Sequence, residues 1–189
     1  MENRIEFKNI TKYFPGVKAL DNISFTANGG EVLALMGENG AGKSTLLKIL
    51  NGDYQQTSGE YLVNGQPCHF NSPAEAVTAG IGVIYQERQI MLQLTVGENI
   101  YLGRLPTGAF GKIKTKELHE KAQKIIDDFG LNIKSTDKVK DLSIAYQQMV
   151  EIMKAYSREN LKMIAFDEPT ASLSDAEIES LFHIIHKLK

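Results

Sequence analysis

Two periodicities divide the chain. In the first seventy or so residues apolar positions alternate with polar ones, the period of a half-buried strand. Ile5 and Phe7 set against Glu6 and Lys8 predict a strand over residues 4–10, and residues 23–27 predict a second. Asn28, Gly29 and Gly30 form a turn into an unbroken apolar run, Val32, Leu33, Ala34, Leu35 and Met36, which predicts a buried strand. Residues 11–16 between the first two strands read as a loop carrying two exposed aromatics, Tyr13 and Phe14. Residues 59–63 and 67–70 flank Asn64-Gly65, the dipeptide of a type I′ hairpin. The expectation for this half is antiparallel sheet around a single strand–loop–helix unit.

From Gln86 to about Ser143 the alternation gives way to helical spacing. Residues 95–102 and 116–129 are predicted helices, the second placing Leu118, Ala122, Ile125, Ile126 and Phe129 on one face with Gly130 as its C-cap. Residues 106–111 read as the most mobile loop of this stretch. Before it, Pro73 opens a short helix to residue 79 with Ser72 as N-cap, and residues 81–85 form a short apolar strand. After it come a helix over 145–156, an apolar strand over 161–166, and a closing helix over 175–187 with Ser174 as N-cap. The predicted class is α/β: a core of residues 1–86 and 143–189, with an all-α insertion over 87–142.

Composition narrows the class without choosing the function. At 189 residues, 42% hydrophobic and 23% charged, the chain suits one domain with an insertion. Its net charge of −2 gives no bulk electrostatic reason to expect nucleic acid or anionic lipid as partner. No apolar run approaches the ~18 residues of a membrane span. The first residues lack a secretion signal's apolar core. A single cysteine, Cys68, permits no intrachain disulfide and suits a reducing compartment, so Cys68 beside His69 reads as packing at a strand end. The expected location is the cytoplasm, or the cytoplasmic face of a membrane assembly.

The chemistry gathers at Gly37, Glu38, Asn39, Gly40, Ala41, Gly42, Lys43, Ser44 and Thr45. This run fits G-x-x-x-x-G-K-[ST], between an apolar run and the helix-like Leu46, Leu47, Lys48, Ile49, Leu50. Glycines let successive backbone N–H groups converge on one phosphate, and the helix adds its positive end. Lys43 can reach the β- and γ-phosphates, and the Ser44 hydroxyl can ligate Mg²⁺. Asp167, at the end of the 161–166 strand, suits a carboxylate holding that ion through water, and Glu168 is a candidate general base. Taken alone, Asp167-Glu168 has a plainer reading as a solvated acidic strand end.

With these residues the chain resembles the ATP-binding subunits of ABC transporters along its whole length. Residues 37–45 are similar to the Walker A motif and residues 161–168 to Walker B with its catalytic glutamate. Gln86 stands at the Q-loop position, and Phe14, with Tyr13 beside it, at the A-loop aromatic that stacks on adenine. Leu142-Ser143-Ile144-Ala145-Tyr146-Gln147-Gln148 falls where the family's L-S-G-G-Q signature opens a helix, and Ala171-Ser172-Leu173-Ser174 falls at the D-loop. Ile84-Tyr85-Gln86-Glu87, Glu98-Asn99-Ile100-Tyr101-Leu102-Gly103 and Gln147-Gln148-Met149-Val150-Glu151-Ile152 resemble the monosaccharide-import branch, of the arabinose, galactose and ribose kind. The resemblance implies a P-loop ATPase core with an antiparallel β subdomain and an inserted helical subdomain, with ATP and Mg²⁺ as ligands. It implies that Lys43, Gln86 and Glu168 are catalytic and that Ser44, Gln86 and Asp167 organise the metal. It assigns nucleotide contacts to Phe14, residues 37–45 and, toward a second cassette's ATP, Ser143. The implied partners are transmembrane permease subunits, a second cassette and, indirectly, a sugar-binding protein outside the membrane, with no nucleic acid. The alternatives are a non-catalytic ATP-binding and dimerisation module, or a soluble ABC protein acting on ribosomes or DNA.

The chain departs from the family pattern in three places. Ile144, Ala145 and Tyr146 replace Gly-Gly-Gln, and Ser174 replaces the D-loop aspartate. The family's switch histidine follows a strand beyond the last helix, past Lys189, and the expectation is an open apolar edge along residues 161–166. His183 and His186 share a face of the last helix and read as plain surface. Asp128-Phe129-Gly130 matches a kinase metal triplet and residues 127–130 match D-x-x-G of GTPases, both without those enzymes' other motifs.

Overall fold

The computed structural model describes residues 3–170 and 173–189. The chain forms two compact units. One is built from the N-terminal segment through Val83 together with Asn160–Asp167; the other comprises Ile84–Glu159 and Glu168–Leu188.

The first unit is organised by one long hairpin. Strands β1 (Arg4–Phe14) and β2 (Val17–Asn28) pair antiparallel from Arg4↔Asn28 to Phe14↔Val17, joined by Pro15 and Gly16. Residues 11–14, expected as loop, therefore belong to the strand. The two-residue connection closes the register, and bulges between Phe7 and Tyr13 absorb the irregular pattern that hid the strand from a period-two reading. Asn9 and Asn22 take positive φ, 53° and 55°, beside the interrupted pairing. β3 (Ser58–Val63) lies on the other side of β1, and β4 (Gln66–Pro67) completes the order β2-β1-β3-β4. Asn64 and Gly65, with φ of 53° and 76°, give the I′ turn that the dipeptide predicts. β4 is shorter than expected, ending before Cys68. Phe7 stacks on Tyr61 and Phe25 at 4.7 and 4.9 Å, and with Ile5, Ile10 and Leu20 it packs against Leu46, Leu47, Ile49 and Leu50 of helix α1 (Lys43–Leu50).

Helix α2 (Pro73–Thr78) begins as predicted, Ser72 Oγ accepting from the Glu75 N–H at 3.4 Å. It leads to β5 (Ile81–Ile84), which lies beside β6 (Met163–Phe166) in a separate two-stranded sheet. Among the described residues β6 has no other strand partner, and three of its four residues are half-buried. The run 32–36 is the clearest correction. It forms no strand, and Val32, Leu33, Leu35 and Met36 are 58%, 44%, 38% and 90% exposed. Its apolar character is that of a central strand, but no described strand pairs with it through backbone hydrogen bonds.

The second unit is helical. α3 (Val96–Ile100) starts at a capping box, Thr95 and Glu98 each bonding the other's backbone, a device that stabilises by about 1 kcal/mol. α4 (Thr115–Asp128) buries Leu118, Ala122 and Ile126 and ends before Gly130, whose φ is 69°. α5 (Ile144–Tyr156) and α6 (Asp175–Leu188) complete the unit. α3 packs against both α4 and α5. Ser174 opens α6, its N–H and hydroxyl both donating to Glu177. Residues 106–114, which include the loop expected to be mobile, carry hydrogen bonds of their own.

Candidate functional site

The P-loop is shaped by two left-handed glycines, Gly40 at φ 85° and Gly42 at φ 93°. Gly42 is the N-cap of α1 and offers no side-chain cap. A Cβ there would stand 2.5 Å from Ala19 O and 2.7 Å from Leu20 Cδ2, so only glycine fits between loop and β2. The first helical bond runs from Leu46 N–H to Gly42 O. The preceding amides of Lys43, Ser44 and Thr45 therefore have no acceptor within the helix, and the first turn carries no acidic residue. This positive, donor-rich end suits a phosphate. Lys43 Nζ bridges the loop, donating to Gly37 O at 2.7 Å and Glu38 O at 3.0 Å, while Ala41 N–H donates to Glu38 O at 3.1 Å.

Ser44 Oγ donates to Asp167 Oδ1 at 3.4 Å across 123 positions of sequence. A hydroxyl and a carboxylate side by side are two hard oxygen donors, the set that Mg²⁺ takes while keeping most of its waters. The donor set fits that ion. Glu168, next in the chain, is exposed and holds φ 49°, a conformation side-chain-bearing residues rarely adopt and which concentrates at functional sites. Phe14 meets Tyr54 edge-on at 5.3 Å with Lys12 Nζ 5.1 Å above its ring, whereas Tyr13 is 51% exposed with Lys18 5.5 Å from its ring.

In the helical unit Gln86 is exposed in the loop after β5. Ser143 is the N-cap of α5, accepting from Tyr146 N–H at 3.4 Å. Further along α5, Gln148 donates to Pro169 O at 2.8 Å, tying that helix to the turn after Glu168. Asn39, Gly40 and Ala41 are exposed on the loop; Ala171 and Ser172, expected at the D-loop, lie outside the described residues.

A clamp on the Gln86 loop escaped the sequence reading. Glu151, 6% exposed, accepts from Gln89 N–H, and Lys154 Nζ donates to Gln89 O at 3.1 Å. Two residues on, Met91 N–H donates to Asn99 Oδ1 at 2.7 Å and Met91 O accepts from Asn99 Nδ2 at 2.9 Å. Three side chains thus hold both backbone groups of Gln89 and Met91. Burial pushes the Glu151 carboxyl above the usual carboxylate range, against the pull of Gln89 N–H, Lys154 and Arg88; burial likewise lowers Lys154. The signal was a charged residue between the apolar Val150 and Ile152 of a buried helix.

Residues 20–171 match the model of the ABC transporter family. The chain belongs to that family. The cassette is 52% identical over 185 residues to an arabinose import ATP-binding protein of Vibrio parahaemolyticus, covering 98% of this chain and 36% of that protein. A second, from Burkholderia ambifaria, is 52% identical over 189 residues, covering all of this chain and 37% of its own. The chain therefore spans about a third of the length of these relatives. Among solved structures, MJ1267, an ATP-binding cassette of an ABC transporter, matches with a TM-score of 0.85 at 31% identity, covering 100% of this chain and 77% of that one. The cassette MJ0796, solved as a dimer with ADP and phosphate, matches at 0.77 and 27%, covering 97% and 82%. The expected class, a P-loop ATPase cassette of mixed helix and sheet, stands.

Proposed function

We propose that this cassette binds Mg·ATP and hydrolyses it to power import of a monosaccharide, of the arabinose kind, through a membrane permease. The observation that carries the reading is the P-loop end of α1 with Ser44 and Asp167 in contact, in a chain half identical to arabinose import ATP-binding proteins. The amides of residues 40–45 and Lys43 hold the phosphates, and Gly37 and Asn39 shape the loop. Ser44, Asp167 and Gln86 hold the metal, which would draw charge from the phosphate oxygens when bound. Phe14 stacks on adenine. Glu168 takes a proton from the attacking water, and the rest of catalysis is positioning and charge stabilisation. Ser143 reaches ATP held by a second cassette, and residues 1–86 with 143–189 act as the ATP-binding core around the inserted helical subdomain 87–142. The location that follows is the inner, cytoplasmic face of the membrane, beside permease subunits, with a sugar-binding protein on the far side; among the described residues no helix is long and apolar enough to cross the bilayer.

The replacement of the signature glycines favours a second reading, an ATP-binding module without turnover. Ile144 is 44% exposed at the start of α5, and Tyr146 follows it on the first turn, where the family pattern has small residues. Glu168→Gln separates the two. The first reading expects both proteins to bind ATP in Mg²⁺, with wild-type turnover about a hundredfold faster or more. Binding with equal turnover leaves the module; absence of Mg²⁺-dependent ATP binding refutes both. Co-purification with ribosomes rather than permease subunits would assign the chain to the family's soluble branch.

A further inference from the structure

The loop between α3 and α4 is a small hairpin. Thr107 and Ile113 pair as an antiparallel bridge, Gly108 N–H donates to Lys112 O at 2.8 Å, and Lys114 N–H donates to Pro106 O at 2.9 Å. A single 3-10 turn, Ala109–Gly111, forms its tip. There Phe110 has φ 59° and is 108% exposed, more open than in an extended peptide. The left-handed backbone is one that a bulky residue rarely adopts, and here the cross-hairpin bonds impose it and aim the ring away from the protein. Ile113, on the same hairpin, is 44% exposed.

The charge along the sequence on either side of this tip runs against the chain as a whole. Between residues 104 and 124 stand six basic side chains (Arg104, Lys112, Lys114, Lys116, Lys121 and Lys124) and two acidic ones, a local excess of four positive charges in a chain of net −2. Glu117 meets Lys114 and Lys121 at 3.2 and 2.6 Å, and Glu120 meets Lys116 at 3.8 Å. Arg104 donates to Ser157 and to Ile100 O. Lys116 is 91% exposed at its side chain despite its pairing, and exposed pairs of this kind exchange readily for another anion.

We propose that this hairpin docks on an anionic lipid surface, with Phe110 entering the headgroup boundary and the lysines above it meeting lipid phosphates. One convex ring offers too little apolar area for an ordinary protein interface, which needs a packed centre of several anchors. An aromatic tip set among basic side chains is sufficient for an interfacial anchor, where apolar insertion and electrostatic attraction add. Such an anchor would be weak and reversible, adding to whatever holds the cassette at a membrane and setting the orientation of its helical unit.

The chain has no tryptophan, so Phe110→Trp places a single fluorescent reporter at the tip. The proposal expects its emission to shift to the blue with vesicles of equal phosphatidylcholine and phosphatidylglycerol, to stay put with phosphatidylcholine alone, and to return in high salt. In co-sedimentation with the mixed vesicles, Phe110→Ala should lower partitioning about tenfold or more, and Lys112→Glu with Lys116→Glu should abolish it, at unchanged thermal unfolding. An unmoved emission with every vesicle overturns the proposal. So does wild-type binding that ignores lipid charge, or a shift seen only with detergent-solubilised permease subunits, which would assign the tip to a protein partner. None of these readouts involves ATP, so their failure is distinct from failure of the ATPase reading.

Discussion

Two glycines of one loop, both left-handed, provide a matched pair of perturbations. Gly40 has φ 85° and nothing within 4 Å of where a Cβ would sit; Gly42 has φ 93° and would place a Cβ 2.5 Å from Ala19 O and 2.7 Å from Leu20 Cδ2. Gly40→Ala therefore carries only the backbone term, about 1–2 kcal/mol for a non-glycine residue in the left-handed region. Gly42→Ala carries the same term plus an overlap that cannot be relieved by rotating a flexible chain end, since the closer atom is a backbone carbonyl of β2. Overpacking of this kind costs about 1–3 kcal/mol more, so Gly42→Ala should lose about 2–5 kcal/mol. For a chain this size each kcal/mol lowers the melting temperature by about 2–4 °C, which separates the two variants by roughly 2–12 °C. Thermal unfolding without nucleotide reads the difference directly, and Mg·ATP affinity measured on the same proteins should fall in the same order. Equal melting temperatures, or Gly40→Ala as the weaker protein, would refute the claim that contact with β2 rather than φ alone reserves position 42 for glycine.

Other expectations follow from the clamp on the Gln86 loop. Asn99 is fully buried, and Asn99→Ala leaves Met91 N–H without its partner while Met91 O keeps Leu94 N–H, a loss of about 1–3 kcal/mol for the orphaned amide. Amide exchange should quicken over residues 89–92 and stay unchanged in α4. Glu151 makes the stability depend on pH. Because its folded-state pKa is raised above the ordinary 4.5, the unfolded chain releases this proton first, and Glu151's contribution falls as pH climbs from about 4.5 through the raised value. Glu151→Gln should flatten that part of a urea-midpoint profile; an unchanged slope would show that Lys154 and Arg88 compensate the buried charge.

Local order was legible wherever one residue type has one physical use. Asn64-Gly65 implied two positive φ angles, Ser72 and Pro73 a helix start, and the run from Gly37 to Thr45 a phosphate-binding loop, because each rests on contacts within a few residues. What depended on distant partners was not. The apolar run 32–36 has the composition of a central strand, yet a strand exists only where neighbours exchange hydrogen bonds with it, and no described strand pairs with this run. Residues 11–14 looked like loop because bulges broke the alternation, while pairing with β2 and β3 made them strand. By itself the amino-acid sequence determined the chemistry on offer: a P-loop, Asp167, Glu168, Gln86, and a family to which they belong. Only the tertiary structure brought Ser44 to Asp167 across 123 positions, put Glu151 and Asn99 on the backbone beyond Gln86, and turned Phe110 outward. Those facts depend on long-range packing and burial, which no local pattern encodes.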